Sequence, residues 1–530
     1  MSSPNGHEVV ILGGGLAGLT LALQLRASLP ELDIVVLERH AHPVPQAAHK
    51  VGESLVELGA HYLAQTLDLR THLDAAHIPK FGFRFFFSDG HSDLDQVTEL
   101  GVSRVLPTPT WQIDRGILEN FLAEEAQRRG IDFRGHAVVR SFELDGASMH
   151  TIRATIDGDE VTLRARWVVD ASGRAGLIKR KLGLAQRNGH DANAVWFRID
   201  DRLILDDWCA NAAWRARCDP PERWRSTNHL VGPGYWVWLI PLASGAHSVG
   251  IVADAALHPL ETMNTFERAL GWLATHQPAV AREVAVRRDR LLDFNFLRGY
   301  SHDCKQVFSG DRWAITGDAG VFLDPFYSPG TDFIAIANTY TCALIGHDRG
   351  GRQIAPFARL YEQLFRSFHE NTLALFRGQY PLFGDAAVMP IKVIWDYTYY
   401  WGVLCQLVMQ GHLTDFALFA ELQTELESAQ CLNRRMQSLF RDWGAVNVAG
   451  NPPVMLDQLA LSWFAEMNRG LTDRLSRQQL IARLRGHVVL MGELAATIAA
   501  RAARAFPELD VEGLAGHVDS GPVALFDEAA

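Results

Sequence analysis

Three glycines near the start of the chain have the spacing of a dinucleotide-binding turn. Gly13, Gly15 and Gly18 follow an apolar run at residues 9–12 and precede a helical pattern at residues 19–26. In this context glycines permit a tight turn, close approach of the backbone to a pyrophosphate, and close contact between helix and strand. The pyrophosphate would lie at the helix N-terminus, where free N–H groups and the helix dipole favour an anion.

A second strand supplies an acid at the expected distance. Residues 34–37 are apolar and end in Glu38, twenty residues after the last glycine of the turn, where a carboxylate should meet the ribose hydroxyls. The turn with Leu16 and Ala17, together with Glu38 and Arg39, is therefore assigned to cofactor binding. The alternative is a glycine turn in an unrelated α/β unit.

A second candidate motif lies in the middle of the chain, where residues 235–241 read YWVWLIP. Trp236 and Trp238 would lie on the same face of a strand. Without further context, this pattern is equally typical of two aromatic rings packed in a core.

Composition limits the class of protein. A chain of 530 residues with 48% hydrophobic and 21% charged residues predicts a globular protein of about two to four domains. The formal net charge of -11 argues against nucleic acid as a partner, because nucleic-acid binding needs a basic surface. A small-molecule enzyme fits this balance.

Cysteine usage and hydropathy predict a cytoplasmic location. The six cysteines show neither a C-x-x-C pair nor metal-ligand spacing, so we expect a reduced compartment and no metal site. Residues 1–8 lack a signal-peptide pattern, and no run reaches the ~18 apolar residues of a membrane span.

The elements that must position these residues follow from the patterns along the chain. A helix is predicted at residues 117–129, and an antiparallel meander at residues 138–144, 149–156 and 160–166. A further strand at residues 167–170 breaks at a small-residue turn, and residues 313–316 form another strand before Gly317 and Asp318. The chain would thus return three times to the edge of the sheet where ligands bind.

The predicted fold class is α/β, with a doubly wound sheet, an inserted β-rich substrate layer and a C-terminal helical region. The predicted domains are residues 1–190 and 300–348 for the cofactor, 191–299 for the substrate layer, and 349–530 for the helices. Residues 395–401, WDYTYYW, could line a substrate cavity, although packing between helices is the more common role for such a cluster.

Four motifs together carry a family resemblance: GGGLAG at residues 13–18, VGES at 51–54, WVWLIP at 236–241 and GD at 317–318. Over about residues 8–345 the chain resembles the flavin-dependent halogenases of the tryptophan-halogenase type. The resemblance implies that FAD is the cofactor and that the doubly wound sheet is of the flavin-hydroxylase type. In that family the tryptophan motif is thought to keep substrate away from the flavin, which disfavours direct monooxygenation.

The resemblance also implies a catalytic lysine. The family carries a K-x-G-x-x-F segment, which residues 80–85 match, so Lys80 is the candidate. In the family, hypohalous acid travels through a tunnel to this lysine, which presents electrophilic halogen to an electron-rich carbon. The neighbouring phenylalanines would partly desolvate Lys80 and lower the pKa of its ammonium. The alternative is a lysine that extends from an aromatic strand to water.

Two further cofactor residues and a partner follow from the resemblance. Arg115 matches an arginine that follows a strand and contacts the cofactor, and Asp318 should bind the ribityl–phosphate region of FAD. No second dinucleotide fingerprint is present. A separate flavin reductase is therefore expected to supply FADH2.

One segment departs from the family pattern. Where the family has D-P-x-x-S-[TS]-G, with backbone N–H groups that bind halide, residues 324–330 read DPFYSPG. Ser328 and Gly330 remain candidates for halide binding, but Pro329 has no N–H to offer. Tyr327 stands where tryptophan halogenases have a glutamate, so a phenol, a pyrrole or an indole-type ring, free or carrier-bound, is favoured over free tryptophan as substrate.

Three functions therefore stay open from the sequence. The first is a two-component FAD-dependent halogenase. The second is a flavin oxidoreductase or monooxygenase of the same fold that does not use halide. The third is a flavin-binding protein without catalysis, against which the retention of Lys80 in its motif argues.

Overall fold

The computed structural model describes residues 6–46, 50–448, 450–514 and 522–526. In this part of the chain the strands are β1 Gly6–Leu12, β2 Ile34–Leu37, β3 Ile78–Pro79, β4 Phe83–Phe86, β5 Glu99–Gly101, β6 Trp111–Gln112, β7 Asp132–Arg134, β8 Ala137–Glu143, β9 His150–Ile156, β10 Asp159–Asp170, β11 Ala185–Gln186, β12 Ala192–Ile199, β13 Thr227–Gly232, β14 Tyr235–Pro241, β15 His247–Asp254, β16 Leu291–Leu297, β17 Asp303–Cys304, β18 Trp313–Ile315 and β19 Met455–Asp457. The α-helices are α1 Leu16–Ser28, α2 Glu57–His61, α3 Arg70–Ala76, α4 Arg115–Arg128, α5 Leu177–Lys181, α6 Ala212–Arg215, α7 Phe266–His276, α8 Pro278–Ala285, α9 Gly330–Arg349, α10 Ala355–Leu373, α11 Val388–Tyr399, α12 Gln406–Met409, α13 Phe416–Glu421, α14 Gln423–Val446, α15 Ser462–Gly470 and α16 Arg477–Ala505.

The chain divides into two compact units. The first draws on Met1–Ala76, Ile113–Gly189 and Ser301–Glu370, and the second on His77–Gln112, His190–Tyr300 and Asn371–Ala530. This division by packing puts residues 77–112 and most of the C-terminal helices with the substrate layer. The domain boundaries given above remain a prediction.

The first unit contains a parallel sheet with an antiparallel extension. At its parallel end the strand order is β7-β2-β1-β10-β18, and the antiparallel strands β9 and β8 extend the sheet from the first half of β10. The ends of three strands are aligned, because Leu12 is in register with Asp170, and Asp170 with Ile315. The predicted return of the chain to one edge of the sheet is thus present.

The meander differs from its prediction in one respect. Residues 160–166 and 167–170 were expected to form two strands, but β10 is a single strand of 12 residues. Its first half pairs with β9, and its second half pairs with β18. Because β1 pairs with it over Arg164–Asp170, the strand continues without a break between the two partners.

The second unit is built on an eight-stranded sheet in the order β16-β12-β15-β14-β13-β4-β5-β19. One face of this sheet packs on α7 and α8 through apolar residues such as Val195, Val237, Val249, Leu273 and Val280. The predicted fold class, with a β-rich layer and C-terminal helices, is confirmed at the level of architecture.

The aromatic cluster at residues 395–401 lies between helices. It belongs to α11 and to a π-helical stretch, Tyr400–Cys405, that continues from it. Trp395 and Trp401 are fully buried, and the indole N–H of Trp395 donates to Asn433 on α14. This agrees with the helix-packing interpretation of the cluster.

All six cysteines are free thiols. Among the helices that the structure describes, none combines the length and the apolar character needed to cross a membrane.

Candidate functional site

The glycine turn connects β1 to α1 in the first unit. Gly13 has a φ of +116°, and a Cβ there would overlap the carbonyl oxygen of Ala171. A Cβ at Gly18 would overlap the carbonyl oxygen of Gly13. Gly15 is different, since the nearest atom to a Cβ there is a carboxylate oxygen of Glu119 at 3.9 Å. The fold itself requires Gly13 and Gly18, whereas Gly15 leaves an open cradle beside the backbone.

Glu38, predicted to meet the ribose hydroxyls, lies beside this turn. One carboxylate oxygen accepts from the backbone N–H of Gly14 at 2.7 Å, and the other accepts from that of His40 at 2.9 Å. Arg39 is exposed, and its guanidinium contacts the His40 ring. The structure therefore brings Glu38 to the glycine turn, while the Arg39 side chain extends to solvent.

The turn after β18 also meets the start of α1. Gly317 has a φ of +61°, and a Cβ there would lie 2.9 Å from the Cβ of Ala17. Asp318 follows in a short 3-10 turn, Gly317–Ala319. Burial raises the pKa of the Asp318 carboxyl, and the positive charges of Arg115 and His302 partly oppose this shift.

Arg115 begins α4, where Asp114 caps the helix by accepting from the backbone N–H groups of Gly116 and Ile117. Its guanidinium donates to the Val51 carbonyl at 2.7 Å and to Glu119 at 2.5 Å. The Nε of Arg115 is buried and has no hydrogen-bond partner among the described residues.

Glu119 is a buried carboxylate that the sequence analysis missed. It pairs with both Arg115 and Lys50. Burial opposes its ionisation, but these two cations outweigh burial and lower the pKa of Glu119. Its position four residues after Arg115 on a helix is the signal that could have found it.

The predicted halide segment precedes α9. Ser328 has a φ of +53°, and its backbone N–H donates to the Pro325 carbonyl at 2.9 Å. Pro329 is the N-cap of the helix, and Gly330 is its first residue. Of the three positions, Ser328 uses its N–H inside a turn and Pro329 has none, which leaves the N–H of Gly330 in the first turn of α9.

Lys80 lies in the second unit, directly after β3. Its side chain is 3% exposed, and its Nζ lies 3.6 Å from the centroid of the Phe83 ring. The same ring contacts His229 and Tyr397, at centroid distances of 5.2 and 6.2 Å. The alternative of a lysine that extends to water is wrong, because Lys80 is buried and its ammonium lies against the Phe83 ring.

The two tryptophans of the WVWLIP motif are buried on β14, with ring centroids 5.7 Å apart. The indole N–H of Trp236 donates to the Tyr380 hydroxyl at 3.0 Å, and that of Trp238 donates to the Ser248 hydroxyl at 3.1 Å. Trp236 also contacts His229 at 5.2 Å, so the motif adjoins the aromatic surroundings of Lys80.

Three possible metal ligands also lie close together, with ligand atoms of Asp303, His369 and Glu370 all within 4.8 Å of one another. The guanidinium of Arg366 already pairs with the Asp303 carboxylate at 3.2 Å. We propose no metal site there.

The comparisons with known proteins agree with this geometry. A family described as FAD binding domain matches residues 7–228. The residues present fit that cofactor: the open cradle at Gly15 and the unpartnered Nε of Arg115 lie where an anionic dinucleotide would need space and a donor. The prediction of FAD is confirmed.

Curated halogenases are similar to this chain over more than half of its length. A flavin-dependent halogenase, chlA of Dictyostelium discoideum, is 25% identical over 433 residues, which are 76% of this chain and 70% of that protein. The tetracycline 7-halogenase of Kitasatospora aureofaciens is 27% identical over 61% of this chain and 60% of its own. The chain is thus similar to flavin-dependent halogenases over more than half of its length. The predicted resemblance and the predicted enzyme class are thereby confirmed.

Solved structures of flavin-dependent halogenases share the fold. A mutant of the halogenase PltM in complex with FAD has a TM-score of 0.64 and 17% identity, and the match covers 92% of this chain and 96% of that one. The flavin-dependent brominase Bmp2 has a TM-score of 0.57 and 21% identity, over 82% of this chain and 98% of that one. At these identities the likeness supports the fold assignment alone.

Proposed function

We propose that the chain halogenates an electron-rich aromatic ring, with reduced FAD, O2 and halide as co-substrates and Lys80 as the catalytic residue. The observation that carries this proposal is the buried ammonium of Lys80 above the Phe83 ring. A lysine in such surroundings is held away from bulk water, and its position matches the lysine of the family motif.

Reduced FAD, when bound, would supply two electrons that activate O2, and O2 would be the oxidant that converts halide to hypohalous acid, with water as the other product. The Lys80 ammonium donates a hydrogen bond to this oxidant, or its amine carries the halogen as a haloamine with loss of water. A ring carbon of the substrate then takes the electrophilic halogen and releases its proton. The burial of Lys80 against the Phe83 ring would limit the access of competing water to this step.

The other site residues bind or position the cofactor and the halide. Gly13 would shape the turn that holds the pyrophosphate at the start of α1, since its own N–H donates to the Leu37 carbonyl at 2.8 Å. Gly15, Leu16, Ala17 and Gly18 would offer backbone N–H groups to the pyrophosphate. Glu38 would accept from the adenosine ribose, with Arg39 beside it. Arg115 and Asp318 would contact the rest of the dinucleotide, and Ser328 and Gly330 the halide.

The substrate we propose is a phenol, a pyrrole or an indole-type ring, free or bound to a carrier protein. Two relatives support the carrier-bound form by their names, a 1H-pyrrole-2-carbonyl-[peptidyl-carrier protein] brominase of Pseudoalteromonas luteoviolacea and the corresponding chlorinase of Pseudomonas fluorescens, each 26% identical to this chain.

The six free thiols support a cytoplasmic location.

The proposal includes a separate flavin reductase, which leads to a prediction about electron supply. With NADH or NADPH alone, the flavin of the purified protein is expected to stay oxidised, because the sequence has no second dinucleotide fingerprint. Flavin absorbance under anaerobic conditions measures this directly. Bleaching should begin only on addition of a flavin reductase, and rapid bleaching without it would favour the monooxygenase alternative.

The Pro329 position gives a prediction about halide affinity. Pro329→Ala and Pro329→Ser each restore a backbone N–H, and both are expected to lower the halide concentration for half-maximal turnover by about tenfold, the contribution of one charge-assisted hydrogen bond. If both variants lower this concentration equally, the effect comes from the restored N–H and not from the hydroxyl that serine adds. The wild-type protein should prefer bromide to chloride, since a weakly held site favours the ion that is more easily desolvated and oxidised.

One observation favours the alternative function, a monooxygenase that does not use halide. Because Ser328 uses its N–H for Pro325 and Pro329 has none, the halide segment offers fewer backbone donors than the family pattern. A monooxygenase of the same fold would need none of them. If neither wild type nor the Pro329 variants respond to halide while substrate-dependent oxygen consumption continues, this alternative replaces the halogenase.

The most direct experiment is product mass spectrometry. The protein is incubated with a flavin reductase, NADH, FAD, and bromide or chloride, together with a panel of phenols, pyrroles and indoles. A product with the mass and isotope pattern of a halogenated ring supports the proposal, and a product heavier by one oxygen supports the alternative.

A further inference from the structure

We propose that Arg225 is a positioning residue for Lys80, which it holds through hydrogen bonds to the residues on either side. This inference rests on the proposed function, in which Lys80 must present halogen to the ring. Arg225 ends a 3-10 turn, Arg223–Arg225, that precedes β13. It lies in the second unit with Lys80, although the sequence separates the two by 145 residues.

Both neighbours of Lys80 are bonded to this turn. The Nε of Arg225 donates to the Pro79 carbonyl at 3.0 Å. The backbone N–H of Phe81 donates to the Arg225 carbonyl at 3.3 Å, and the Ser226 hydroxyl donates to the Phe81 carbonyl at 3.3 Å. Arg225 and Ser226 therefore hold the chain immediately before and after the lysine.

A second segment holds Lys80 from another side. The backbone N–H of Lys80 itself donates to the Thr110 carbonyl at 2.9 Å, next to the short pairing of β3 with β6. The Gln112 side chain at the end of β6 donates to the Arg225 carbonyl at 3.3 Å and to the Thr227 hydroxyl at 2.9 Å. The two segments that support Lys80 are thus bonded to each other as well.

Buried charges anchor the turn that carries Arg225. Arg223 is fully buried, donates to Glu99 at 2.8 Å and to Asp206 at 3.1 Å, and lies 3.9 Å from the Trp214 ring. Glu99 also pairs with the buried Arg84 on β4. A movement of the turn that separated these ion pairs would leave a buried charge uncompensated. The turn therefore has one favourable position.

The consequence for the reaction is geometric. A group that transfers halogen must stay within roughly 0.5 Å of its productive position, and it does so when its supporting residues are fixed. The Arg225 side chain is only 20% exposed, and it gives a charged donor to Pro79, the residue directly before the lysine. Without that donor, the lysine would sample other positions and oxidant would escape without reacting.

The test compares three variants of the full chain. Arg225→Met removes the guanidinium but keeps the apolar stem and the backbone carbonyl. Arg225→Lys keeps a donor that can reach the Pro79 carbonyl. The matched control is Glu222→Gln, because Glu222 forms an ion pair with Arg225 but makes no hydrogen bond to residues 78–82.

The first readout is independent of halogenation. Hydrogen exchange of a peptide that covers residues 78–82, and reductive methylation of Lys80 measured by mass spectrometry, are both expected to be about tenfold faster in Arg225→Met. Glu222→Gln should match wild type, and Arg225→Lys should lie between. If exchange is faster throughout the second unit, Ser226→Ala repeats the test, because it removes one neutral bond to Phe81 without a change in charge.

The second readout is the ratio of halogenated product to hydrogen peroxide, which should fall about tenfold in Arg225→Met with FAD binding unchanged. Unchanged exchange and methylation in both Arg225→Met and Ser226→Ala would overturn the inference. Faster methylation with an unchanged product ratio would overturn the role in the reaction. Faster methylation in a protein whose wild type yields no halogenated product would instead contradict the proposed function and leave the structural role standing.

Discussion

Replacement of Lys80 by alanine is expected to lower formation of halogenated product by roughly 10²- to 10⁴-fold, the range for a positioned side chain that transfers a proton or its equivalent. FAD binding and peroxide formation should stay close to wild type, because the residues assigned to FAD belong to the first unit and Lys80 to the second. Product mass spectrometry and a peroxide assay on the same sample measure the two outcomes.

Two further variants separate chemistry from packing. Lys80→Met keeps the stem above Phe83 and removes a buried charge, so it should be folded and as inactive as Lys80→Ala. Lys80→Arg keeps a donor but cannot form a haloamine, because a guanidinium does not lose its proton in proteins. Partial activity in Lys80→Arg would favour a hydrogen-bonded oxidant. Complete loss of activity in this variant would favour the haloamine. Near wild-type halogenation by Lys80→Met would contradict the catalytic role.

Gly15→Val is expected to lower FAD affinity by about a hundredfold or more while the protein stays folded. Gly15 has φ -84° and ψ -170°, a conformation that valine adopts readily, and the nearest atom to a Cβ is 3.9 Å away. The branched side chain would instead occupy the space beside the helix N-terminus. Loss of two charge-assisted bonds there, at about 1.5–3 kcal/mol each, gives the expected magnitude. Flavin fluorescence titration measures the affinity, and circular dichroism the fold.

Two other glycines serve as controls for this result. Gly486→Val, on an exposed face of α16 with no atom within 4 Å of a Cβ, should bind FAD as wild type does. Gly18→Val should fail to fold, because its Cβ would overlap the backbone of Gly13. Full flavin retention in Gly15→Val would contradict the assignment of the glycine turn to the pyrophosphate.

The sequence by itself determined the elements that depend only on residues close to one another in the chain. The glycine turn, the strand that ends in Glu38, the helix at residues 117–129 and the strand at residues 313–316 all lie close to their predicted bounds. Each depends on backbone conformations and on a hydrophobic periodicity that neighbouring residues set together. The GGGLAG, VGES, WVWLIP and GD motifs together were sufficient to indicate the resemblance to flavin-dependent halogenases, and the curated relatives confirm that resemblance.

The tertiary structure decided what depends on distant partners. Arg225 meets the Lys80 segment from about 145 residues away, and the continuous β10 follows from pairing with both β9 and β18. Local propensity cannot anticipate such contacts, because they form only when separate elements pack and bury the same polar groups. For the same reason the sequence left the burial of Lys80 open. The folded chain shows that Lys80 is buried, with its ammonium against the Phe83 ring.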